Sequence, residues 1–404
     1  MFEVIQAQPH DAILQLMALY RQDPNPHKVD LGVGVYKDEL GNTPIMQAVD
    51  RAERILLEQE LTKSYIGPAG SPLYNQLISE LILGKSLYQQ LSDRLAVAQT
   101  PGGCGALRMA AEFLKSCSPD TSSPDTTVWV SDPTWANHIP LLGGAGLKIQ
   151  TYAYYDHASG GIQFDKMMSA LENAKTGDVV LLHGCCHNPS GADLSLVQWK
   201  AVTELVQRKG LLPFVDMAYQ GLGDGLDQDA AGVRFMAEQV PELIIAASCS
   251  KNFGLYRERT GVLLILSANA QQAPNTASQL FGTIRSHYSM PPNHGAAIVE
   301  VILGNADLRN LWQQELGQMR KRISDLRVQF NHTLSQQGVA QDFSFIERQK
   351  GMFSFLGISA AQVHRLRDEY SIYMVDSSRV NVAGLSGQNL DYVCKAVANV
   401  LKTS

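Results

Sequence analysis

The sequence predicts an α/β fold built on a mainly parallel sheet, and three observations carry that expectation. Asp178-Val-Val-Leu-Leu-His, Leu211-Leu-Pro-Phe-Val and Glu242-Leu-Ile-Ile-Ala-Ala are short runs that are nearly all apolar. Helical segments separate them, the clearest being Leu194 to Arg208 with Gly210 as its stop. Each run leads into polar residues: Asn188-Pro-Ser-Gly after the first, Asp216-Met-Ala-Tyr219 after the second, Ser248 and Lys251 after the third. Apolar strands alternating with helices imply a sheet covered on both faces. Ligands of such sheets bind beyond the carboxyl ends of the strands, where these polar residues fall. A length of 404 residues suits two domains, or one large domain with an appendage.

The other elements follow in chain order. Residues 1–12 have little periodic pattern and read as an arm, and Ala12 to Tyr20 is an amphipathic helix ending before Asp23-Pro-Asn-Pro. Val29-Asp-Leu-Gly-Val-Gly-Val-Tyr holds Gly32 and Gly34 but lacks the third glycine and the helix of a dinucleotide fingerprint, so close backbone approach is the better reading. Pro44 to Leu61 is helical with Pro44 near its first turn, and Tyr65-Ile-Gly-Pro-Ala-Gly is a loop. Gln99-Thr-Pro-Gly-Gly-Cys-Gly-Ala-Leu-Arg runs into a helix from Ala106 to Leu114. A glycine turn at a helix N-terminus offers free N–H groups to an anion, although no Lys-Ser or Lys-Thr follows as in a Walker loop. Thr127-Val-Trp-Val-Ser is a strand that places Trp135 and His138 just past its end. Leu308, Trp312, Leu316, Met319, Ile323, Leu326, Phe330 and Leu334 describe one long helix of roughly 40 Å. Phe343 to Leu356 alternates like strands, Ala361 to Tyr370 is helical, and Arg379 starts a strand.

The stretch from Ser248 to Gly261 concentrates the chemistry. Lys251 sits at a strand end, with hydroxyls at Ser248 and Ser250 and guanidinium groups at Arg257 and Arg259. An amine in that setting can form a Schiff base with an aldehyde while the cations and hydroxyls hold an anion such as a phosphate. Arg379, inside an apolar strand, needs an anionic partner, either a substrate carboxylate or a structural acid. Arg285 is a second carboxylate-binding candidate.

Composition argues against other classes. A formal net charge of -6 disfavours nucleic acid or an anionic membrane as partner. No apolar run reaches the roughly 18 residues of a membrane span, and Met1-Phe-Glu-Val-Ile-Gln lacks the pattern of a signal peptide. Cysteines at 104, 117, 185, 186, 249 and 394 form no Cys-x-x-Cys pair, which fits a reducing cytoplasm. Cys185-Cys186-His187 resembles a metal cluster only in composition, because adjacent side chains of an extended chain point in opposite directions; no metal is expected.

Taken together, Leu31-Gly-Val-Gly-Val-Tyr-Lys-Asp-Glu, Thr100-Pro-Gly-Gly-Cys-Gly-Ala-Leu, Cys186-His-Asn-Pro-Ser-Gly, Asp216-Met-Ala-Tyr-Gln-Gly, Ser250-Lys-Asn-Phe-Gly-Leu-Tyr and Arg379-Val-Asn-Val-Ala-Gly resemble the class I aminotransferases of the aspartate and aromatic amino acid branch. The likeness covers nearly the whole chain. It implies a pyridoxal-phosphate enzyme of fold type I, with a seven-stranded, mainly parallel sheet in a large domain and a smaller α+β domain. Residues 1–43 would be the arm and the first part of the small domain, 44–318 the large domain, and 319–404 the rest of the small one. The resemblance implies that Lys251 carries the cofactor, Asp216 pairs with its pyridine nitrogen, and Asn188 and Tyr219 contact its phenolic oxygen. Trp135 would stack on the ring. Gly103, Cys104, Ser248, Arg259 and, from a neighbouring subunit, Tyr65 would surround the phosphate. Arg379 would bind the substrate α-carboxylate with Gly34 and Asn188 beside it, and the neighbour's Arg285 a side-chain carboxylate. Amino acids and 2-oxo acids are the implied substrates, and a homodimer with shared sites the implied assembly.

Two positions depart from the family pattern. Cys104 stands where a threonine or serine hydroxyl is usual, and a thiol is the weaker donor. Met290 stands where relatives carry asparagine or serine, which suits apolar substrates. Val35, Lys37 and Thr43 look like the aspartate-preferring form. A lyase or decarboxylase of the same fold would use the same lysine and aspartate, but paired Arg285 and Arg379 favour transfer between two acids. A dehydrogenase of the dinucleotide-binding type would need the glycine fingerprint that is absent.

Overall fold

The structure, a computed structural model, describes residues 1–7, 11–117 and 126–402. Of the expected arm, residues 8–10 lie outside the described residues, and Phe2–Val4 form one exposed 3₁₀ turn. The chain divides into two compact units. The larger comprises Pro44–Lys321 and Gln349–Gly351; the smaller comprises Met1–Thr43, Arg322–Arg348 and Met352–Ser404.

The larger unit is organised on a seven-stranded sheet. Its strands are β1 (Leu95–Pro101), β2 (Thr127–Asp132), β3 (Lys148–Ala153), β4 (Val179–His183), β5 (Leu212–Met217), β6 (Leu243–Ser248) and β7 (Thr260–Leu266). They lie in the order β1-β7-β6-β5-β4-β2-β3. Neighbours are parallel except that β7 runs antiparallel to both β1 and β6. The fold is therefore the α/β type the apolar runs predict. On one face Val179, Leu181, Phe214, Ile244, Ala246 and Leu263 pack with Leu107, Ala110 and Leu114 of helix α1 (Gly102–Ser116). The alternate residues Val180, Leu182 and Val215 are fully buried as well, which is why these strands read as unbroken apolar runs.

Helix boundaries show which signals sequence reading misses. Helix α2 (Leu196–Lys209) begins at a Ser195/Gln198 capping box and ends at Gly210, whose φ of 64° lies in the left-handed region. The helix expected from Pro44 instead spans Gln47–Gln59. Pro44 precedes it, and the Glu315 carboxylate accepts hydrogen bonds from Gln47 N and Ala48 N at 2.7 and 3.0 Å. A cap supplied from 268 residues away leaves no local trace. The long helix α3 spans Ala306–Gln336, 31 residues, and carries the chain from the larger unit into the smaller one.

In the smaller unit Leu326, Phe330 and Leu334 of α3 share a core with Phe343, Ile346, Leu356, Val380, Val393 and Val397. The expectation of strands across Phe343–Leu356 is corrected: Phe345–Arg348 is a helical turn, and only Phe353–Phe355 is a strand, antiparallel to Arg379–Asn381. Buried aromatics at one-in-two spacing mimic a strand over so short a window. The three residues between the two elements belong to the larger unit. Lys350 N donates to Gly191 O at 2.7 Å, and Gln349 Nε2 donates to Tyr155 Oη and Gly160 O, each at 3.0 Å. Gly351, at φ 73°, lies so close to Cys186 that a Cβ would meet the Cys186 Cβ at 2.4 Å. Close approach also accounts for two glycines of the smaller unit. A Cβ at Gly32 would strike Leu16 at 2.2 Å, and one at Gly34 would strike Phe353 at 2.8 Å.

Candidate active site

The carboxyl ends of β4, β5 and β6 and the start of α1 bring one constellation together in the larger unit. Asp216 lies in β5, and Tyr219 and Lys251 follow β5 and β6. The Lys251 ammonium lies 5.0 Å from the centre of the Tyr219 ring. Asn188 Nδ2 donates to the Tyr219 hydroxyl at 3.5 Å, and both residues are buried. Burial lowers the Lys251 pKa from its usual 10.5, and Arg259 adds to the shift, while Asp216 and Cys104 pull the other way. The residue after Lys251 is held from below: Trp312 Nε1 donates to Asn252 O at 2.7 Å, and its ring stacks on Phe253 at 4.4 Å.

Asp216 anchors a buried polar line. Burial pushes its carboxyl up, but the hydrogen bond and charge of His138, with His183 and Lys251, outweigh that and hold it below 3.8. An ionised carboxylate only accepts, so His138 Nε2 donates to Asp216 Oδ2, at 3.2 Å. His138 Nδ1 lies 2.8 Å from Thr134 Oγ1, which lies 3.2 Å from His183 Nε2. The His183 ring is 4.2 Å from His187, which sits between Ser131 Oγ at 3.0 Å and Ser190 Oγ at 2.8 Å. Burial, with the charge of His138, lowers His183 to about 3, and burial holds His187 well below the usual histidine range, so both are neutral near pH 7. Trp135 meets His138 edge-on at 5.3 Å. Sequence reasoning noted His138 past its strand end and His187 beside the two cysteines but gave neither a role, and it missed Thr134 and His183. The Thr134–His183 and His138–Asp216 contacts join residues 49 and 78 positions apart.

Beside the lysine lies an anion cradle. Helix α1 starts at Gly102, four residues before the expected start, so Gly103 and Cys104 occupy its first turn, and no side chain caps it. Gly102 has φ of 74°, and a Cβ there would come within 2.5 Å of Arg259 Nη2; one at Gly103 would come within 3.1 Å of Ser248 Cβ. Ser248 Oγ donates to Ser250 Oγ at 3.0 Å, and Arg259 Nη1 reaches Ser250 Oγ at 3.5 Å and Tyr256 O at 3.2 Å. Asn137 Nδ2 donates to Cys104 Sγ at 3.4 Å. Burial pushes the Cys104 thiol up, with Arg259 pulling it back. Arg259 forms no ion pair among the described residues, and it is exposed on the cradle, as Arg257 is on the same loop. Free helix N–H groups, two hydroxyls and a guanidinium suit a phosphate, and the adjoining amine suits an aldehyde. We expect Gly102→Ala to lower stability by about 1–2 kcal/mol through its left-handed backbone. It should also weaken cofactor binding by displacing Arg259; denaturant melts and fluorescence titration of the apoprotein measure the two effects separately.

The remaining candidates lie elsewhere. Arg379 and Gly34 are together in the smaller unit: Arg379 Nη2 donates to Gly32 O at 2.6 Å, its guanidinium lies 4.3 Å from the centre of the Phe353 ring, and Gly34 faces the same ring. Tyr65 is 92% exposed. Arg285, in the last turn of the helix Ala273–His287, is exposed and donates to the Ser289 hydroxyl.

A mixed sheet carrying a lysine, an ionised aspartate and an anion cradle at its carboxyl edge defines an enzyme built to hold a phosphorylated aldehyde. Residues 26–397 match the family described as aminotransferase class I and II. The chain is 48% identical to an aspartate aminotransferase of Salmonella typhi over 401 residues, 99% of this chain and all of that one. It is 47% identical to an aromatic-amino-acid aminotransferase of Pseudomonas aeruginosa over 392 residues, 97% of each. The crystal structure of an aromatic-amino-acid aminotransferase from Burkholderia pseudomallei, covalently bound to pyridoxal phosphate, superposes with a TM-score of 0.96 at 42% identity, covering 99% of both chains. The chain belongs to the class I and II aminotransferases, within the pyridoxal-phosphate-dependent aspartate and aromatic amino acid branch.

Proposed function

We propose that this chain exchanges amino groups between glutamate/2-oxoglutarate and a second pair, aspartate or an aromatic amino acid with its 2-oxo acid, in a ping-pong cycle. The observation that carries the assignment of roles is the Lys251 amine, its pKa lowered by burial, set between Asp216 and the anion cradle. Pyridoxal phosphate, when bound, supplies an aldehyde to receive the amino group and a ring that takes up the electrons of the substrate carbanion. Lys251, once free, takes the proton from the substrate carbon and returns it at the other end of the transfer. Asp216, kept ionised and oriented by His138, holds the proton on the pyridine nitrogen. Asn188 and Tyr219 bind the phenolic oxygen, and Trp135 covers the ring. Gly103, Cys104, Ser248 and Arg259 hold the phosphate, and Arg379 with Gly34 and Asn188 binds the substrate α-carboxylate.

Dual specificity is supported by the near-equal likeness to aspartate and aromatic aminotransferases and by Arg285. Its guanidinium is exposed and forms no ion pair among the described residues, so it can meet a distal carboxylate or turn away from an aromatic ring. A rigid buried arginine facing an apolar ring would be left desolvated and unpaired, at a cost of several kcal/mol. A substrate panel with 2-oxoglutarate as acceptor tests the assignment. Arg285→Leu is expected to lower kcat/KM for aspartate by several kcal/mol of transition-state binding and to leave phenylalanine nearly unchanged. Equal losses would make Arg285 structural.

The proposed assembly is a homodimer with shared sites. Tyr65, at 92% exposure, and the exposed Arg285 are free to serve a neighbour, and Ile45, Leu57, Leu61 and Leu73 add exposed apolar surface. Tyr65→Phe chains mixed with Lys251→Ala chains should regain one intact site per mixed dimer. A fully active monomer in sedimentation would refute sharing. No helix among the described residues is long and apolar enough to cross a membrane, and all six cysteines are free, which supports a reducing cytoplasm as the location.

A further inference from the structure

Cys185 and Cys186 follow β4, just ahead of the loop that carries Asn188. Opposed side chains on an extended chain were the argument against a metal here, and the backbone is not extended. Cys186 has φ of 50°, in the left-handed region. Both sulfur atoms and a carboxylate oxygen of Asp229 consequently lie within 4.8 Å of one another, all three residues being buried. Asp229 takes the place that composition gave to His187, whose ring is held by Ser131 and Ser190 instead.

The surroundings favour a cation. Cys185 and Asp229 line a cavity of about 200 Å³ whose other walls include Asp193, Asp224, Ser195 and Lys350. Three carboxyl groups thus face one ammonium, which is paired with Asp224. Burial pushes Asp193 up to about 6 against the backbone N–H groups of His187 and Cys186, and burial raises Asp229 as well. The Cys186 thiol partly offsets the burial and the nearby carboxylates that push Cys185 up to about 11. Asp229 accepts from Gly221, Gly223 and Asp224 at 2.7–2.9 Å and from Gly225 at 3.4 Å. The short bonds fix the carboxylate, as outer partners do for metal ligands.

We propose that Cys185, Cys186 and Asp229 form a binding site for a soft divalent cation of the zinc class, with a fourth position facing the cavity. Thiolates select such ions over magnesium or calcium, and two sulfurs with one oxygen leave the site three-coordinate from protein. Ligation by thiolate displaces the thiol protons, so binding releases about two protons per ion to solvent. The bound ion ties the residues before Asn188 to Asp229, so it stabilises the fold by mass action.

The test uses the cofactor-loaded enzyme dialysed against Cd²⁺ and then desalted. The expected result is a single retained ion per chain, an ultraviolet thiolate-to-cadmium band, release of about two protons per ion, and an upward shift in Tm. Cys185→Ser and Cys186→Ser should each lose the retained ion, whereas Cys117→Ser, which changes an exposed thiol, should keep it. No ion retained by the unaltered chain, an ion retained without the thiolate band, or retention unchanged in Cys185→Ser would each overturn the site. Should either serine variant fail to fold, the band and the proton count of the unaltered chain decide the matter.

Discussion

Replacing Lys251 with alanine is expected to lower kcat/KM for every amino acid tested by at least about 10²–10⁴-fold, the range that positioned proton transfer contributes. The loss should fall on kcat, because the amine acts on the reacting carbon and not on the substrate's carboxylates. A second readout separates chemistry from collapse of the site. Borohydride treatment of the unaltered holoenzyme should fix the cofactor on the peptide containing Lys251. The variant should bind cofactor without that covalent label. Added small amines should restore part of the rate in the variant, since the missing group is a base. A label on any other lysine would remove the assignment.

Asp216→Asn is expected to cost about 10²–10³-fold in kcat, the scale of removing one preorganised electrostatic partner. The shape of the site should survive, because asparagine is nearly isosteric and can still accept from His138. The pH dependence follows from the direction of the Asp216 shift. Its folded pKa is depressed below 3.8, so its stabilising contribution is fully present above the unfolded value and is lost only as pH falls through the folded value. Asp216 is therefore ionised throughout pH 5–8, and the acid limb of the rate profile in that window must come from another group. An acid limb that vanishes in the asparagine variant would contradict this assignment.

How much was legible follows from where each signal lies. The strands β4, β5 and β6 were readable because both their faces are buried, which leaves unbroken apolar runs with the candidate site residues at their ends. Lys251, Asp216, Asn188 and Tyr219 were found by that rule before any resemblance was used. The line from Asp216 through His138 and Thr134 to His183 was not legible, because its Asp216–His138 and Thr134–His183 contacts join separate strand ends and depend on register. The Glu315 cap of the helix Gln47–Gln59 was hidden for the same reason. Phe343 to Leu356 misled because four buried aromatics, Phe343, Phe345, Phe353 and Phe355, gave a strand-like period to a helical turn and a break. The cysteine pair was dismissed on a rule that holds for extended chains, and one left-handed residue removes its premise.

The segment Gln349–Gly351 gives the order of synthesis a physical meaning. Lys350 closes on Gly191, and Gly351 lies against Cys186, at the two ends of the stretch that presents Asn188. Some 160 residues separate Gly191 from Lys350, so at 5–20 residues per second the ribosome leaves that stretch waiting for roughly 8–30 s before its last support is made. A nascent chain halted before residue 349 would carry the sheet, Lys251 and Asp216, yet hold Asn188 on an unbraced loop.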